Sequence, residues 1–275
     1  MNDLQNKRKR RVTIKDVAEA AGVSIATVSY VLNNTPGQSI SEETRKKVLQ
    51  FANLLGYECN VMARYLATGK TNTVGAVVKD VRPFASRYYM KLLCELSRLL
   101  FRQNLGLRLV DYSDGMSKSG DCDAYVTVSL TEPEFRAFAD TKYVPVIAID
   151  SVFDDFLFYR INDDYELLAG IAASEYGNAH TSLLTYELPD EVYSVARRVF
   201  SDIVTVKTVK DIAELDAKKN YVTVSSYLCD NAKCLGAHVR LRSSSFAFKA
   251  SAAAECLTKA MNRSIDDAED HNVKV

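Results

Sequence analysis

The residues best equipped for chemistry lie near the amino terminus. Ser24, Ile25, Ala26, Thr27, Ser29 and Tyr30 set hydroxyls, small aliphatic groups and one flat phenol within seven positions. A helix carrying such side chains can approach base edges closely, because nothing long holds it off. Ile25 and Ala26 suit a thymine methyl, while Ser24, Thr27 and Ser29 suit phosphate oxygens or base edges. Thr13, Ile14, Asn33, Ser41, Thr44 and Tyr57 complete the expected duplex-contacting set in this stretch. Catalysis finds no comparable support. His180, His238 and His271 are the three histidines, and none has an evident nucleophile partner. No G-x-G-x-x-G, P-loop or G-x-S-x-G motif is present. Six cysteines are scattered without a C-x-x-C pair, so the expectation is buried, reduced thiols, no metal, no cofactor and no catalytic residue.

Two short helices must hold those side chains. Thr13 reads as the N-cap of the first, with Asp16 in its first turn. Val17, Ala18 and Ala21 recur on one face, and Gly22 closes the helix. Ser24 caps a second helix whose inner face is Val28, Val31 and Leu32. This is a helix-turn-helix pattern, whose second helix enters the major groove. After a Pro36-Gly37 turn, either Ser39 or Ser41 caps a third helix running to about Leu55, with Val48, Phe51, Ala52 and Leu55 inward. Residues 1–70 hold eleven Lys/Arg against six Asp/Glu, a net of +5, and the remainder holds 24 against 29, a net of −5. A basic head suits a polyanion and an acidic body is repelled by it. Residues 1–11 read as a disordered basic arm, either solubilising or phosphate-contacting.

The stretches Val12-Thr-Ile-Lys-Asp-Val-Ala-Glu-Ala-Ala-Gly-Val-Ser-Ile-Ala-Thr-Val-Ser, Ile40-Ser-Glu-Glu-Thr-Arg-Lys-Lys-Val, Gly56-Tyr and Asn60-Val-Met-Ala-Arg-Tyr-Leu together strongly resemble the lactose-repressor/galactose-repressor family of bacterial transcription factors. The resemblance implies a helix-turn-helix domain over 12–59 and a hinge helix and linker over 60–71. It implies a hinge that folds on operator DNA, paired with its twin in a homodimer. Asn60 then meets the minor groove, Ala63 lets the two hinge helices pack, and Leu66 wedges between base steps, where it kinks the duplex. The other reading of Leu66 is that it docks on the next domain. Many relatives carry Pro where this chain has Cys59, which leaves the hinge entry less restrained. Several carry Arg where it has Tyr30, so the base preferred there stays open.

From Thr73 the pattern alternates strand and helix. Strands are expected at 74–78, 107–111, 124–128, 144–150 and 157–161, then 181–186, 203–206, 221–224, 238–241 and 246–249. Helices are expected at 84–104, 132–139, 162–176, 191–200 and 209–217, from about Asp230, and at 250–261. Such repeats build parallel, doubly wound sheets. Residues 72–263 resemble the family's effector and dimerisation domain, an α/β, periplasmic-binding-protein-like body of two lobes, shortened here by one or two units. Residues 264–275 read as a disordered acidic tail. A sugar effector between the lobes is implied, with Asp80, Phe84, Arg198 and Asp230 as effector-binding residues. Arg198 fits a Ser-x-x-x-Arg spacing from Ser194, and Asp230-Asn231 reverses the family's Asn-Asp pair. The alternative is a body that has lost sugar binding and only dimerises or answers to a protein partner. The expected partners are double-stranded operator DNA and a second copy, with no membrane. No export-signal pattern and no bilayer-spanning apolar run is present, so a cytoplasmic, nucleoid-associated bacterial protein is expected.

Overall fold

The computed structural model describes residues 12–32, 37–57, 69–79, 83–116, 122–263 and 271–275. Two compact units emerge, Met1–Gly69 and Lys70–Val275.

The head contains α1 (Ile14–Ala21), α2 (Ile25–Leu32) and α3 (Glu42–Leu54). Thr13 and Asp16 close a capping box: the Asp16 carboxylate accepts the Thr13 N–H at 2.8 Å and its hydroxyl at 2.7 Å. Gly22 ends α1 at φ +65, a left-handed conformation that costs a residue with a Cβ about 1–2 kcal/mol. Ser24 accepts the Thr27 N–H at 3.0 Å and starts α2. Ser41, not Ser39, caps α3 by accepting the Thr44 N–H at 3.1 Å. Val17, Ala18, Ala21, Val28, Val31, Val48 and Ala52 form the core, with Leu32 and Phe51 packed against it. Leu55 does not join it. The helix ends at Leu54, so Leu55 leaves the apolar stripe and is exposed.

The body begins earlier than expected, because residues 70 and 71 already belong to it. The Asp123 carboxylate fixes this entry, accepting the Thr71 N–H at 2.7 Å, the Thr71 hydroxyl at 2.9 Å and the Asn72 N–H at 2.7 Å. In the first lobe the strands are β1 (Thr73–Val78), β2 (Gly106–Asp111), β3 (Ala124–Val128), β4 (Val146–Ile149) and β5 (Arg160–Asn162). Its helices are α4 (Pro83–Arg102), the single turn α5 (Tyr112–Gly115) and α6 (Glu132–Ala139). The second lobe holds α7 (Tyr165–Tyr176), β6 (Thr181–Tyr186), α8 (Asp190–Ala196), β7 (Ile203–Val206), α9 (Val209–Ala213), β8 (Asn220–Thr223), α10 (Ser226–Cys234) and β9 (His238–Leu241). The chain then returns through α11 (Ser245–Met261) and β10 (Asn272–Lys274) to the first lobe.

Both sheets are wholly parallel, with strand orders β10-β5-β4-β3-β1-β2 and β7-β6-β8-β9. Central strands such as β3 and β4 are buried at every position, as helices on both faces require. Gly75 of β1 lies under the Tyr125 ring, where a Cβ would come within 2.5 Å of a ring carbon.

Several expectations need correction. Phe246–Lys249 is not a strand but the first part of α11. Its alternation misled because Phe246 packs on the core while Lys249 is itself buried. Helix α10 starts at Ser226, four residues before Asp230, because Ser225 accepts the Leu228 N–H as its cap. The fifth strand is Arg160–Asn162. The tail is not wholly outside the fold: β10 pairs with β5, and Arg242 Nη1 holds the Val275 carbonyl at 2.5 Å. Residues 264–270 lie outside the described residues. Cys94 and Cys234 are exposed, whereas Cys122, Cys229 and Cys256 are buried, and all five are free. No helix of the described residues is long and apolar enough to cross a membrane.

Candidate nucleic-acid interface and lobe junction

On the head, the first turn of α2 presents Ser24, Ile25 and Ala26 to solvent, followed one turn later by Tyr30. Ile25 is 48% exposed and Tyr30 37%. Thr27 and Ser29 are half-buried beside them, and the Thr27 hydroxyl lies 2.9 Å from that of Ser24. Thr13, Ser41 and Thr44 stand at helix starts, where exposed N–H groups and the dipole attract phosphate. Ile14 and Tyr57 are half-buried and also pack against the head's core. Asn33, Asn60, Ala63 and Leu66 lie outside the described residues.

In the body, strand carboxyl ends of the two lobes face a common junction. Its centre is filled by the chain's own side chains. The Lys249 ammonium of α11, fully buried, donates to Asp150 Oδ1 at 2.5 Å and to Asp163 Oδ2 at 2.6 Å. Tyr89 donates to Asp150 Oδ2 at 2.9 Å, and Ser245 donates to Asp163 Oδ1 at 2.7 Å. The Tyr88 hydroxyl meets Ser245 Oγ at 3.1 Å. Tyr186, at the end of β6, packs on both α4 tyrosines with ring centroids 5.2 and 5.6 Å away. Burial pushes Asp150 above the ordinary carboxylate range, and neighbouring Asp163 adds to it while Lys249 opposes it. Burial also works against the charge on Lys249, but the two carboxylates prevail and hold it well above the usual lysine value. Burial raises the phenols of Tyr88, Tyr89, Tyr165 and Tyr186 as well.

A cavity opens on each side of this partition. The first, about 300 Å³, is lined by Lys79, Tyr89, Ser129, Thr131, Glu134 and Glu187 among others. Lys79 pairs there with Glu134, and Lys207 reaches Glu187 at 3.1 Å. The second, about 180 Å³, lies between α4 and the ends of β8 and β9, with Tyr88 on its wall. Three non-glycine residues around the junction hold positive φ: Ser129 at 55, Asp150 at 53 and Ser244 at 65. Such strain concentrates where surrounding structure enforces a working geometry.

Neither cavity is lined by Arg198 or Asp230. Both are exposed on outer helix or turn surfaces, away from the residues that line the junction. Asp80 lies outside the described residues. Phe84 falls in the first turn of α4, and its side chain also lies outside them. The sequence reading missed Asp150, Asp163 and Lys249. A signal existed for Asp150, which directly follows the apolar run Val146–Ile149 at a strand's carboxyl end, where ligands of such sheets gather. Lys249 was marked only by its place among Ala247, Phe248 and Ala250. No group of His, Cys, Asp and Glu among the described residues is arranged to hold a metal ion.

Comparison with known proteins agrees with both halves of this description. The family profile "Bacterial regulatory proteins, lacI family" matches residues 13–60. The regulator GalS of Salmonella typhimurium is 53% identical over 70 residues, covering 26% of this chain and 20% of its own. The regulator pepR1 of Lactobacillus delbrueckii subsp. lactis is 31% identical over 167 residues, covering 58% of this chain and 49% of its own. Catabolite control protein A of Priestia megaterium is 31% identical over 169 residues, with 58% and 49% covered. The match thus spans about half the length of these two longer-matching relatives. Among solved structures, a lac repressor dimer bound to operator and an anti-inducer superposes with a TM-score of 0.65 at 14% identity, covering 97% of this chain and 96% of that one. A CelR–cellobiose complex gives 0.53 at 15% identity, covering 96% and 97%. At such identities the likeness is one of fold, a helix-turn-helix head with a periplasmic-binding-protein-like α/β body. Residues 13–60 thus match the lacI family of bacterial regulatory proteins, and the body shares the fold of the lac repressor.

Proposed function

We propose that the chain is a sequence-specific DNA-binding transcriptional regulator, acting as a repressor, that meets a pseudopalindromic operator as a homodimer. The observation that carries this reading is the amino-terminal face of α2. Ser24, Ile25 and Ala26 stand in solvent over a turn fixed by Gly22, and no long side chain shields them. A helix presented this way fits the major groove, and a two-fold protein demands a two-fold site. The net charge of +5 over residues 1–70 supports the same reading. The lac repressor dimer of similar fold is bound to operator. The test is selection of duplexes from a random pool by the full chain. Enrichment of one inverted repeat is expected. Purified protein that stays monomeric and shows no preference over random duplex would refute the reading.

The small molecule in this proposal is a sugar in the cavity of about 300 Å³. Glu134, Glu187, Ser129 and Thr131 supply acceptors and donors for hydroxyls, and Tyr89 with Leu188 supplies apolar surface. Its binding alters lobe closure and, through it, the affinity for DNA. One observation favours a second reading, in which the body holds no sugar and only dimerises or answers to a protein partner. Tyr88, Tyr89, Tyr186 and Lys249 already fill the centre of the junction. A thermal-shift screen against neutral sugars separates the two, since stabilisation by none of them leaves the second.

A further inference from the structure

We propose that the two lobes are locked in one arrangement by the body's own side chains, with the Lys249 ammonium as the tie. The lock does not depend on what the head reads, and it rests on the second reading of the body, in which no sugar is held. Two series of contacts run from Lys249 to the second lobe. In one, Lys249 donates to Asp150, Asp150 accepts the Tyr89 hydroxyl, and the Tyr89 ring meets that of Tyr186 edge-on. In the other, Lys249 donates to Asp163, whose second oxygen accepts the Ser245 hydroxyl. Ser245 Oγ has then spent its proton, so the Tyr88 hydroxyl 3.1 Å away donates to it, and the Tyr88 ring packs on Tyr186. Tyr186 ends β6 and belongs to the second lobe, whereas the others sit on the first lobe or on α11, which packs along α4. All four carboxylate oxygens are taken by these donors. The ionic group therefore sets the position of two rings, and the apolar contact of three rings supplies the attraction.

The segments that cross between the lobes are tied as well. The chain passes to the second lobe at 163–164 and returns at 242–244. Domain closure works by turning such short segments through large φ/ψ changes. Here one carbonyl, that of Val275, accepts the Asp164 N–H of the first crossing at 2.8 Å and the Arg242 guanidinium of the second at 2.5 Å. The Val275 N–H in turn donates to the Asn162 carbonyl at 3.0 Å. Asp163 and Ser245, bonded to each other at the first-lobe ends of the crossings, are both buried. Away from the crossings, α4 of the first lobe grips the start of α10 in the second. Lys91 Nζ donates to Ser226 Oγ at 2.8 Å, and the Arg87 guanidinium lies 4.7 Å from the Tyr227 ring centroid. Turning one lobe against the other breaks contacts of all these kinds together. Where the locked arrangement holds about 99% of molecules, a ligand must prefer the other by about 10⁴-fold to reverse the ratio.

The test measures the distance between lobes by double electron–electron resonance. Spin labels go on two exposed cysteines, Cys94 of α4 and Cys234 of α10, one in each lobe. The full chain carries Cys59→Ser and is diluted into unlabelled protein, so that only distances within one chain are read. The otherwise unaltered chain should give one narrow distribution, unchanged by D-glucose, D-galactose or cellobiose at about 10 mM. Lys249→Ala should broaden it or add a distance longer by about 2 Å or more. Propylammonium chloride, which replaces the atoms removed, should narrow it again where sodium chloride of equal ionic strength does not. Tyr186→Leu keeps the ionic group but removes the ring it positions, and should broaden the distribution with no response to propylammonium. If Lys249→Ala fails to fold, Tyr186→Leu decides alone. Three results overturn the lock: a distribution already broad or moved by sugar before any junction substitution, folded variants as narrow as that parent, or broadening in Lys249→Ala that propylammonium does not reverse. A sugar that raises the melting temperature while the distance stays fixed would refute the empty-body reading and support the lock.

Discussion

The head and the lobe junction are built on opposite principles. The caps that shape the head's working face join residues three apart: Thr13 with Asp16, Ser24 with Thr27, Ser41 with Thr44. The junction is made by residues far apart along the chain. Tyr89 and Asp150 are separated by 61 positions, Lys249 and Asp163 by 86, Lys249 and Asp150 by 99. A surface made of local contacts forms with its helices and tolerates change elsewhere. A buried ionic cluster made of distant contacts exists only when the whole body has folded, and losing one member leaves the others unpaired. The head's polar groups also keep their solvent, whereas those at the junction have exchanged water for one another.

The largest expected effect follows from that second property. Lys249→Ala would leave two buried carboxylates facing each other, and breaking such a cluster costs about 3–5 kcal/mol. Urea unfolding followed by near-ultraviolet circular dichroism reads it through the tyrosine cluster. Replacing the set together, Lys249→Met with Asp150→Asn and Asp163→Asn, should recover most of the loss, since no charge is then stranded. A loss below about 1 kcal/mol in the single variant would mean the carboxylates find water or another cation. Next in size is Leu66→Ala, which should weaken operator binding by about 1–3 kcal/mol and leave binding to random duplex nearly unchanged. Equal losses on both duplexes, at matched salt, would count against a wedge in the minor groove. Smaller still is Gly22→Ala, where the left-handed turn of the head costs about 1–2 kcal/mol. Hydrogen exchange should place that loss in residues 12–57 and leave the body's protection as it was. A body that loosens too would contradict the independence of the two regions.

The same contrast explains what was legible in the residues and what was not. Caps, the Gly22 turn and the inward stripe Val17, Ala18, Ala21 are short-range patterns, and the structure reproduces them. The parallel strands were legible because a strand buried on both faces is a continuous apolar run, as in β3 and β4. Two of the four expected effector residues, Arg198 and Asp230, do not line the cavities. Spacing placed Arg198 and Asp230 on helical or turn segments, but which face of such a segment meets the junction depends on packing between lobes. Both turned outward. Lys249 was hidden for the complementary reason. A lysine in an apolar stretch reads as an interruption until two carboxylates from other segments are seen beside it. The strand β10 was hidden because three polar-flanked residues, Asn272–Lys274, pair only after β5 offers its edge.

The smallest effect tests whether polar groups of the second lobe act locally, as in the head, or as a buried cluster. Asp202 sits at the edge of the second sheet, one third exposed, and accepts Ser182 Oγ at 2.7 Å and Lys219 Nζ at 3.0 Å. The Ser182 hydroxyl first, and then Lys219, hold its carboxyl below the ordinary aspartate value. An acid depressed on folding contributes stability that is complete above its unfolded value of about 3.9. That contribution drains away as pH falls through the lower, folded value. Ser182→Ala removes the principal cause, so the variant should lose less stability than wild type between about pH 5 and pH 2. Part of the cost of losing a buried hydroxyl is independent of pH, which leaves the difference in slope as the quantity to read. Exposure to solvent limits that difference to less than about 1 kcal/mol. Parallel stability curves for the two proteins would mean that exposed Lys219, and not the buried Ser182 hydroxyl, sets the acid, and that this edge behaves like the solvated head rather than the buried junction.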